Sequence, residues 1–169
     1  MKEAILPLLG VVAALAGAVK TPEKELGPFG QWHLEIEEIS NKTGVPVEYF
    51  CGLIDQESGW NPSAVSKTNC EGLPQFNQSA QRKLKLDDPL NGLKSIKALG
   101  EWTKRLSKEI GSKDPAYLAL CHHDGGPTCK KGGSKDGLIH QARVVKKIKL
   151  YKESGLCGKG YVNKIHEVG

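Results

Sequence analysis

Apolar residues recur at intervals of three and four along most of the chain, the spacing of one buried helix face. Valine and isoleucine do not gather in alternating runs, so the pattern predicts a mainly α fold with little or no sheet. The predicted helices are Trp32 to Asn41, Val47 to Glu57, a short one from about Ser79 to Leu84, Asp88-Pro89 to Ile110, Asp114-Pro115 through Leu120, and Leu138 to about Lys152.

The buried face of each longer helix follows from the same spacing. The first helix turns Trp32, Ile36 and Ile39 inward. The long fourth helix has an inward stripe of Leu90, Leu93, Ile96, Leu99, Trp102, Leu106 and Ile110. The last has Leu138, Ala142, Val145, Ile148 or Lys149, and Tyr151 or Lys152.

The breaks between helices have equally local causes. Pro46 suits the first position of the second helix, and Asp88-Pro89 supplies a cap followed by proline inside the helix. The sequence Asp-Gly-Gly-Pro at 124–127 ends the fifth helix. Residues 63–78 are rich in Ser, Asn, Gly and Pro, and we expect this loop to fold back beside Glu57.

Glu57 is an acid on an apolar face. It lies seven residues after Phe50, four after Leu53 and three after Ile54, and Gly59 then ends the helix. Burial there disfavours the charged carboxylate, which suits a general acid working near neutral pH. For an isolated helix, a solvated glutamate at a frayed end explains the position equally well.

The chain divides by composition into four parts. Residues 1–20 contain the uncharged stretch 5–19 and suit a signal peptide or another hydrophobic N-terminal segment. Residues 21–30 form a linker, residues 31–153 the helical domain, and residues 154–169 a basic extension. A signal for export is the favoured interpretation of residues 5–19. The other interpretations are an uncleaved membrane anchor and a hydrophobic arm in a larger assembly.

Charge is unevenly placed along the chain. From residue 126 onward ten Lys or Arg face three acids, a net charge of +7, whereas the whole chain carries +5. Such a basic end suits a polyanionic partner, and a solvated helix face explains it about as well. We expect no specific nucleic-acid partner.

Five cysteines stand at 51, 70, 121, 129 and 157. The odd number leaves at least one unpaired in a monomer, and a disulfide from Cys129 to Cys157 is the weakly preferred pairing in an exported chain. Cys121-His122-His123 with Cys129 does not match usual zinc-ligand spacing, so we expect no metal and no cofactor.

Three segments in order carry a resemblance to a known family. They are Glu57-Ser58-x-x-Asn61-Pro62-x-Ala64-x-Ser66, Gly72-Leu73-Pro74-Gln75-Phe76, and His122-His123-Asp124-Gly125-Gly126-Pro127. Together they resemble the lytic transglycosylases of the goose-type lysozyme superfamily, with the step from Glu57 to Gln75 equal to that of the family. The resemblance spans about residues 32–127 and implies a lysozyme-like helical domain.

The resemblance also implies an activity. Such enzymes cleave the bond between N-acetylmuramic acid and N-acetylglucosamine in peptidoglycan with a single glutamate, and the product ends in 1,6-anhydromuramic acid. Glu57 takes the catalytic role. Ser58, Gln75, Phe76, His123 and Asp124 are the expected substrate-binding residues.

The departures from the family pattern leave several roles open. Pro74 stands where the family has Met, and His123-Asp124 stand where it has Tyr-Asn. His123 either helps to position Glu57, as the family Tyr does, or is a core residue. Asp124 either acts as a second acid that favours hydrolysis or, as we favour, stabilises the turn. Phe76 fits a sugar face and the core equally well.

We therefore expect a peptidoglycan lytic transglycosylase exported to the periplasm or cell envelope, or carried by a virion if phage-encoded. Local wall opening by a virion or a secretion or conjugation machine suits its size, and residues 5–19 offer membrane contact. The alternatives are a hydrolytic muramidase that uses Asp124 and a catalytically weak wall-binding assembly component.

Overall fold

A computed structural model of the protein describes residues 30–155 and residue 157. A 3-10 turn at Gly30–Trp32 leads into seven helices. They are α1 (His33–Thr43), α2 (Val47–Ser58), α3 (Gln78–Leu84), α4 (Gly92–Ile110), α5 (Pro115–Asp124), α6 (Gly126–Cys129) and α7 (Lys135–Ser154). The described residues hold isolated β-bridges and no named strand, which confirms the mainly α prediction.

Helix α2 lies at the centre of the fold. Its residues from Tyr49 to Ile54 are all buried, and it packs mainly against α7, which in turn packs against α5. Helices α1 and α4 pair beside this group, with Ile36 and Ile39 of α1 buried as predicted. The core is therefore built around the helix that carries Glu57.

Helix α4 begins later than the sequence predicts. Asn91 caps it by accepting a hydrogen bond from the backbone N–H of Lys94, whereas Asp88 and Pro89 precede the helix. The predicted stripe is buried at Ile96, Leu99 and Leu106 and half-buried at Trp102 and Ile110. Leu90 and Leu93 are exposed, since they lie before or at the first turn of the observed helix.

The predicted buried face of α7 is wrong at Leu138, Ala142 and Val145, whereas Ile148 is half-buried and Tyr151 is buried. Leu138 and Val145 are exposed, and the residues buried from this helix are Gly137, His140, Val144 and Tyr151. The polar residues on the buried face of α7 have partners in the core. His140 contacts Glu57, and the Tyr151 hydroxyl accepts a hydrogen bond from Trp60 Nε1 at 2.9 Å. Apolar spacing alone cannot reveal either partner.

The loop after α2 folds back as expected. Val65, Glu71 and Phe76 are joined by isolated antiparallel bridges, and Gly72 N donates to the Ala64 carbonyl. Gly72 has a φ of +77°, and a Cβ there would lie 2.0 Å from the Pro89 carbonyl oxygen, so only glycine fits. Pro46, predicted inside α2, instead precedes its first residue.

The disulfide pairing differs from the predicted one. Cys51 bonds Cys157, and Cys121 bonds Cys129, so the preferred Cys129–Cys157 pair is wrong. Cys70 is the free cysteine. The bond between α2 and residue 157 connects positions 106 residues apart, which local spacing could not predict.

The structure describes no residue of the leader 1–20, and of the linker 21–30 only Gly30. Most of the basic extension 154–169 also lies outside the described residues. Of the described helices, none has the length and apolarity that a membrane crossing requires.

Candidate active site

Glu57 lies at the edge of a cavity of about 540 Å³. It sits in the last turn of α2, which Gly59 ends in a left-handed conformation. Its side chain is 16% exposed, so the carboxyl group is largely withdrawn from water but still reaches the cavity. The lining comes from α2, the following loop, and α3, α4 and α5: Glu57, Ser66, Thr68, Cys70, Gln75, Phe76, Asn77, Ser79, Ala80, Lys83, Trp102, His122, His123, Asp124 and Gly125.

Two imidazoles approach the same oxygen of Glu57. His140 Nε2 of α7 lies 2.7 Å from Glu57 Oε1, within hydrogen-bond distance. His122 Nε2 of α5 lies 3.8 Å from that oxygen. Three helices therefore meet at the carboxyl group, and α7 supplies its closest partner.

His122 is a buried, neutral histidine. Its Nε2 lies 3.1 Å from the Pro74 carbonyl oxygen, which can only accept, so Nε2–H is the donor. Burial lowers the pKa of His122 below its ordinary value; the Glu57 carboxylate opposes this shift, and neighbouring His140 adds to it. Pro74, at the family's Met position, thereby fixes the tautomer of His122.

Asp124 is held by the loop before α7. Its carboxylate accepts hydrogen bonds from the backbone N–H of Ser134, from Ser134 Oγ at 2.7 Å and from His123 Nδ1 at 2.8 Å. Its side chain is 3% exposed. Burial acts to raise the pKa of Asp124, but these hydrogen bonds outweigh it and lower the pKa below the usual range.

The side chain of His123 forms its hydrogen bond with Asp124 and not with Glu57, the residue that it was predicted to position. Its Nδ1 donates to Asp124 rather than to Glu57, and its side chain is 38% exposed. Its ring centroid lies 5.0 Å from that of His140, with the planes tilted by 33°. His123 thus contacts the partner of Glu57.

The remaining predicted residues divide between the cavity and the scaffold. Gln75 lines the cavity, has a φ of +52°, and donates through Nε2 to the carbonyls of Ala64 and Gly72. Phe76 is 3% exposed, lines the cavity, and packs its ring edge against Trp102. The Ser58 hydroxyl donates to the Ile54 carbonyl of its own helix, and Ser58 is not among the cavity-lining residues.

His140 is the site residue that the sequence analysis missed. The predicted face of α7 placed Leu138 and Val145 inward, which turns His140 toward solvent. A signal was present, because His140, Val144 and Tyr151 share a face at intervals of four and seven residues. An apolar criterion ranks that face lower, since it contains a histidine and a tyrosine.

The described residues contain no group of three side chains arranged to hold a metal ion. Cys121 and Cys129, the cysteines of the zinc site considered from sequence, are joined in a disulfide. Their thiolates are therefore not available as ligands.

A helical domain with a partly exposed glutamate at the edge of a cavity is typical of lysozyme-like proteins. The family model of the Transglycosylase SLT domain matches residues 35–129, more than half of the chain, and the chain belongs to this family. The match contains all three motifs around the cavity, from Glu57 to Pro127.

Three curated relatives are similar to more than half of the chain. An endo-type membrane-bound lytic murein transglycosylase A of Cronobacter sakazakii is 32% identical over 69% of this chain and 60% of its own length. A membrane-bound lytic murein transglycosylase F 2 of Alkalilimnicola ehrlichii is 27% identical over 57% of this chain and 22% of its own. A membrane-bound lytic murein transglycosylase F of Saccharophagus degradans is 24% identical over 66% and 23%, respectively. The chain thus spans less than two thirds of each relative.

Proposed function

We propose that this protein is a peptidoglycan lytic transglycosylase with Glu57 as its single acid and base. The observation that carries the proposal is the state of the two carboxylates that line the cavity. Glu57 reaches the cavity with one oxygen engaged, whereas both oxygens of Asp124 accept hydrogen bonds from the protein. Family membership and the relatives named lytic murein transglycosylases support the same activity.

The reaction needs one proton donor and no water. Glu57 gives its proton to the glycosidic oxygen as the bond from that oxygen to C1 of N-acetylmuramic acid breaks. The acetamido carbonyl of the same sugar stabilises C1. The C6 hydroxyl oxygen then bonds to C1 and its proton passes to Glu57, which restores the acid and leaves a 1,6-anhydro end.

The cavity walls suit a glycan. Trp102 and Phe76 offer aromatic surface, and Ser66, Thr68, Asn77 and Ser79 offer polar groups for hydroxyl and amide recognition. Gln75 holds the loop that forms one wall through its two hydrogen bonds to backbone carbonyls. We assign Gln75 to shaping the groove and Phe76 to its floor.

Hydrolysis by a second acid is the main alternative. It requires Asp124 to act on water at C1, yet the lowered pKa and three hydrogen bonds of Asp124 favour a role in anchoring the loop at Ser134. A Cβ at Gly137 would lie 2.3 Å from Asp124 Oδ2, so α7 closes directly over this carboxylate. A weak wall-binding component remains the other alternative.

Export to the cell envelope fits this activity. The two disulfides, Cys51–Cys157 and Cys121–Cys129, are stable in an oxidising compartment and rare in a reducing one. Three relatives carry "membrane-bound" in their names. A role in local wall opening, as part of a virion or of a secretion or conjugation machine, suits the size of the domain. Co-purification of the native protein with such a particle tests this role.

The decisive experiment compares Glu57→Gln with the wild type on purified peptidoglycan. The variant is expected to fold normally and to lose activity by at least about 10³-fold, because the amide cannot transfer a proton. Glu48→Gln, a matched change in the first turn of the same helix, is the control and is expected to retain activity. Activity retained by Glu57→Gln contradicts the proposal.

Mass spectrometry of the released muropeptides separates the two reactions. Anhydro ends are expected, and products heavier by one water would favour hydrolysis. Asp124→Asn is expected to lower stability without changing the product, since the loop loses an ionised acceptor. A change of product from hydrolysed to anhydro in this variant would assign Asp124 as a second acid.

A further inference from the structure

The pair formed by Glu57 and His140 joins α2 to α7 at the edge of the cavity. Their atoms Oε1 and Nε2 are 2.7 Å apart, and the two side chains are 16% and 10% exposed. A contact this short between largely buried groups fixes both side chains. It also determines which oxygen of Glu57 faces the substrate.

The proton of neutral His140 belongs on Nε2. The other ring nitrogen, Nδ1, is buried and has no hydrogen-bond partner. A buried N–H without an acceptor is rarer in proteins than an under-satisfied acceptor, so a bare Nδ1 is the better state. Nε2–H therefore donates to Oε1.

We propose that His140 is a positioning residue that occupies Oε1 of Glu57, so that Oε2 carries the catalytic proton. This inference rests on the proposed function. Among the described residues none forms a hydrogen bond with Oε2, whereas Oε1 also has His122 Nε2 at 3.8 Å. The two oxygens of Glu57 thus have different roles: Oε1 is held by His140, and Oε2 exchanges the proton with the substrate.

Other ionisable groups surround the pair of Glu57 and His140. His122 is held neutral by burial, and His123 stacks on His140 while donating to Asp124. Tyr49 is buried beside Glu57, with its pKa raised by burial. A second contact between α2 and α7 is the ion pair of Asp55 with Lys147, whose Oδ2 and Nζ atoms are 2.8 Å apart. The remaining charged groups of α7 near His140 in sequence are Lys135, Asp136, Arg143 and Lys146.

Three variants separate positioning from mere packing. His140→Gln keeps an N–H donor for Oε1, and it is expected to stay within about tenfold of wild-type activity. His140→Leu removes the donor and is expected to lose activity about 10²-fold, since the carboxyl group is no longer fixed. His33→Gln on α1, outside the cavity, is expected to keep wild-type activity.

The measurement is the release rate of new glycan ends from peptidoglycan at neutral pH, with circular dichroism to verify folding. A loss in a folded His140→Gln protein as large as that expected for His140→Leu overturns the inference. So does wild-type activity in a folded His140→Leu protein. If His140→Leu fails to fold, the activity of His140→Gln alone decides.

A readout without activity separates this inference from the proposed function. In NMR spectra of ¹⁵N-labelled wild type at neutral pH, the ring of His140 is expected to be the Nε2–H tautomer. The chemical shifts of its ring nitrogens are expected to change in Glu57→Gln. An Nδ1–H tautomer, or a shift indifferent to Glu57→Gln, contradicts the pairing. Absence of any anhydro product with the pairing intact would instead contradict the proposed function.

Discussion

Individual residues at this site are defined by which hydrogen-bond partner each one has. Glu57 is anchored through one oxygen, Asp124 through both, and His122 through Nε2–H. Residues that look interchangeable in the sequence, two neighbouring histidines and two carboxylates, therefore differ in their hydrogen-bond partners and in their exposure. Burial and contacts, rather than residue type, assign these roles.

His122 makes stability depend on pH. Its folded pKa lies below the ordinary 6.5, so the unfolded chain binds more protons between these two values. The contribution of His122 is therefore complete above about pH 6.5 and is lost as the pH falls below it. Urea unfolding from pH 8 to pH 5 is expected to show a smaller loss of stability in His122→Gln than in wild type. Equal slopes in the two proteins would contradict a neutral buried His122.

At the scale of secondary-structure elements, the distance between α2 and α7 governs the site. Gly52 allows the close approach, because a Cβ there would lie 2.8 Å from Ile148 Cγ1 and 2.9 Å from the Ile148 backbone nitrogen. One turn further along α2, this approach brings Glu57 within reach of His140. A small residue in the middle of α2 thus helps to set the distance between Glu57 and His140.

Gly52→Ala is expected to push the two helices apart. Overpacking of this kind costs about 1–3 kcal/mol of stability, and activity is expected to fall because the contact from Glu57 to His140 lengthens. Thermal unfolding and the peptidoglycan assay measure the two effects. Adding Ile148→Ala is expected to restore only part of the loss, since the backbone of residue 148 is also in the way. Complete recovery would mean that side-chain crowding alone sets the distance.

At the scale of the whole molecule, two disulfides fasten the site from different directions. Cys121–Cys129 closes a loop of 8 residues around the turn that holds Asp124, whereas Cys51–Cys157 spans 106 residues and ties the end of the described chain to α2. In the chain-entropy model, the longer loop restricts the unfolded chain more.

Removing the disulfides separately is expected to give unequal losses. Cys51→Ala with Cys157→Ala is expected to cost about 4–5 kcal/mol, and Cys121→Ala with Cys129→Ala about 2–3 kcal/mol. Urea unfolding of each double variant under non-reducing conditions measures the difference. A larger loss for the short loop would indicate that it stabilises the native site directly rather than through the unfolded chain.

Local patterns predicted much of this protein. Helices over Trp32–Asn41 and Val47–Glu57, the helix from Asp114-Pro115, and the return of loop 63–78 to Glu57 all agree with the structure, because helical spacing, caps and turn residues act within a few positions. The predictions were wrong where a contact with a residue distant in sequence determines the structure. Asn91 rather than Asp88 caps α4, and the first half of α7 buries His140 and Val144 instead of Leu138 and Val145.

Return to Glu57. The sequence alone determined that an acid stands on the apolar face of a helix that must end at Gly59, and its motif identified the family, because both are written in local spacing. Only the tertiary structure decided what surrounds that acid. Its closest partner is His140, 83 residues away, and Asp124 is committed to Ser134. Contacts between distant segments depend on how whole helices pack, and no local pattern encodes that packing.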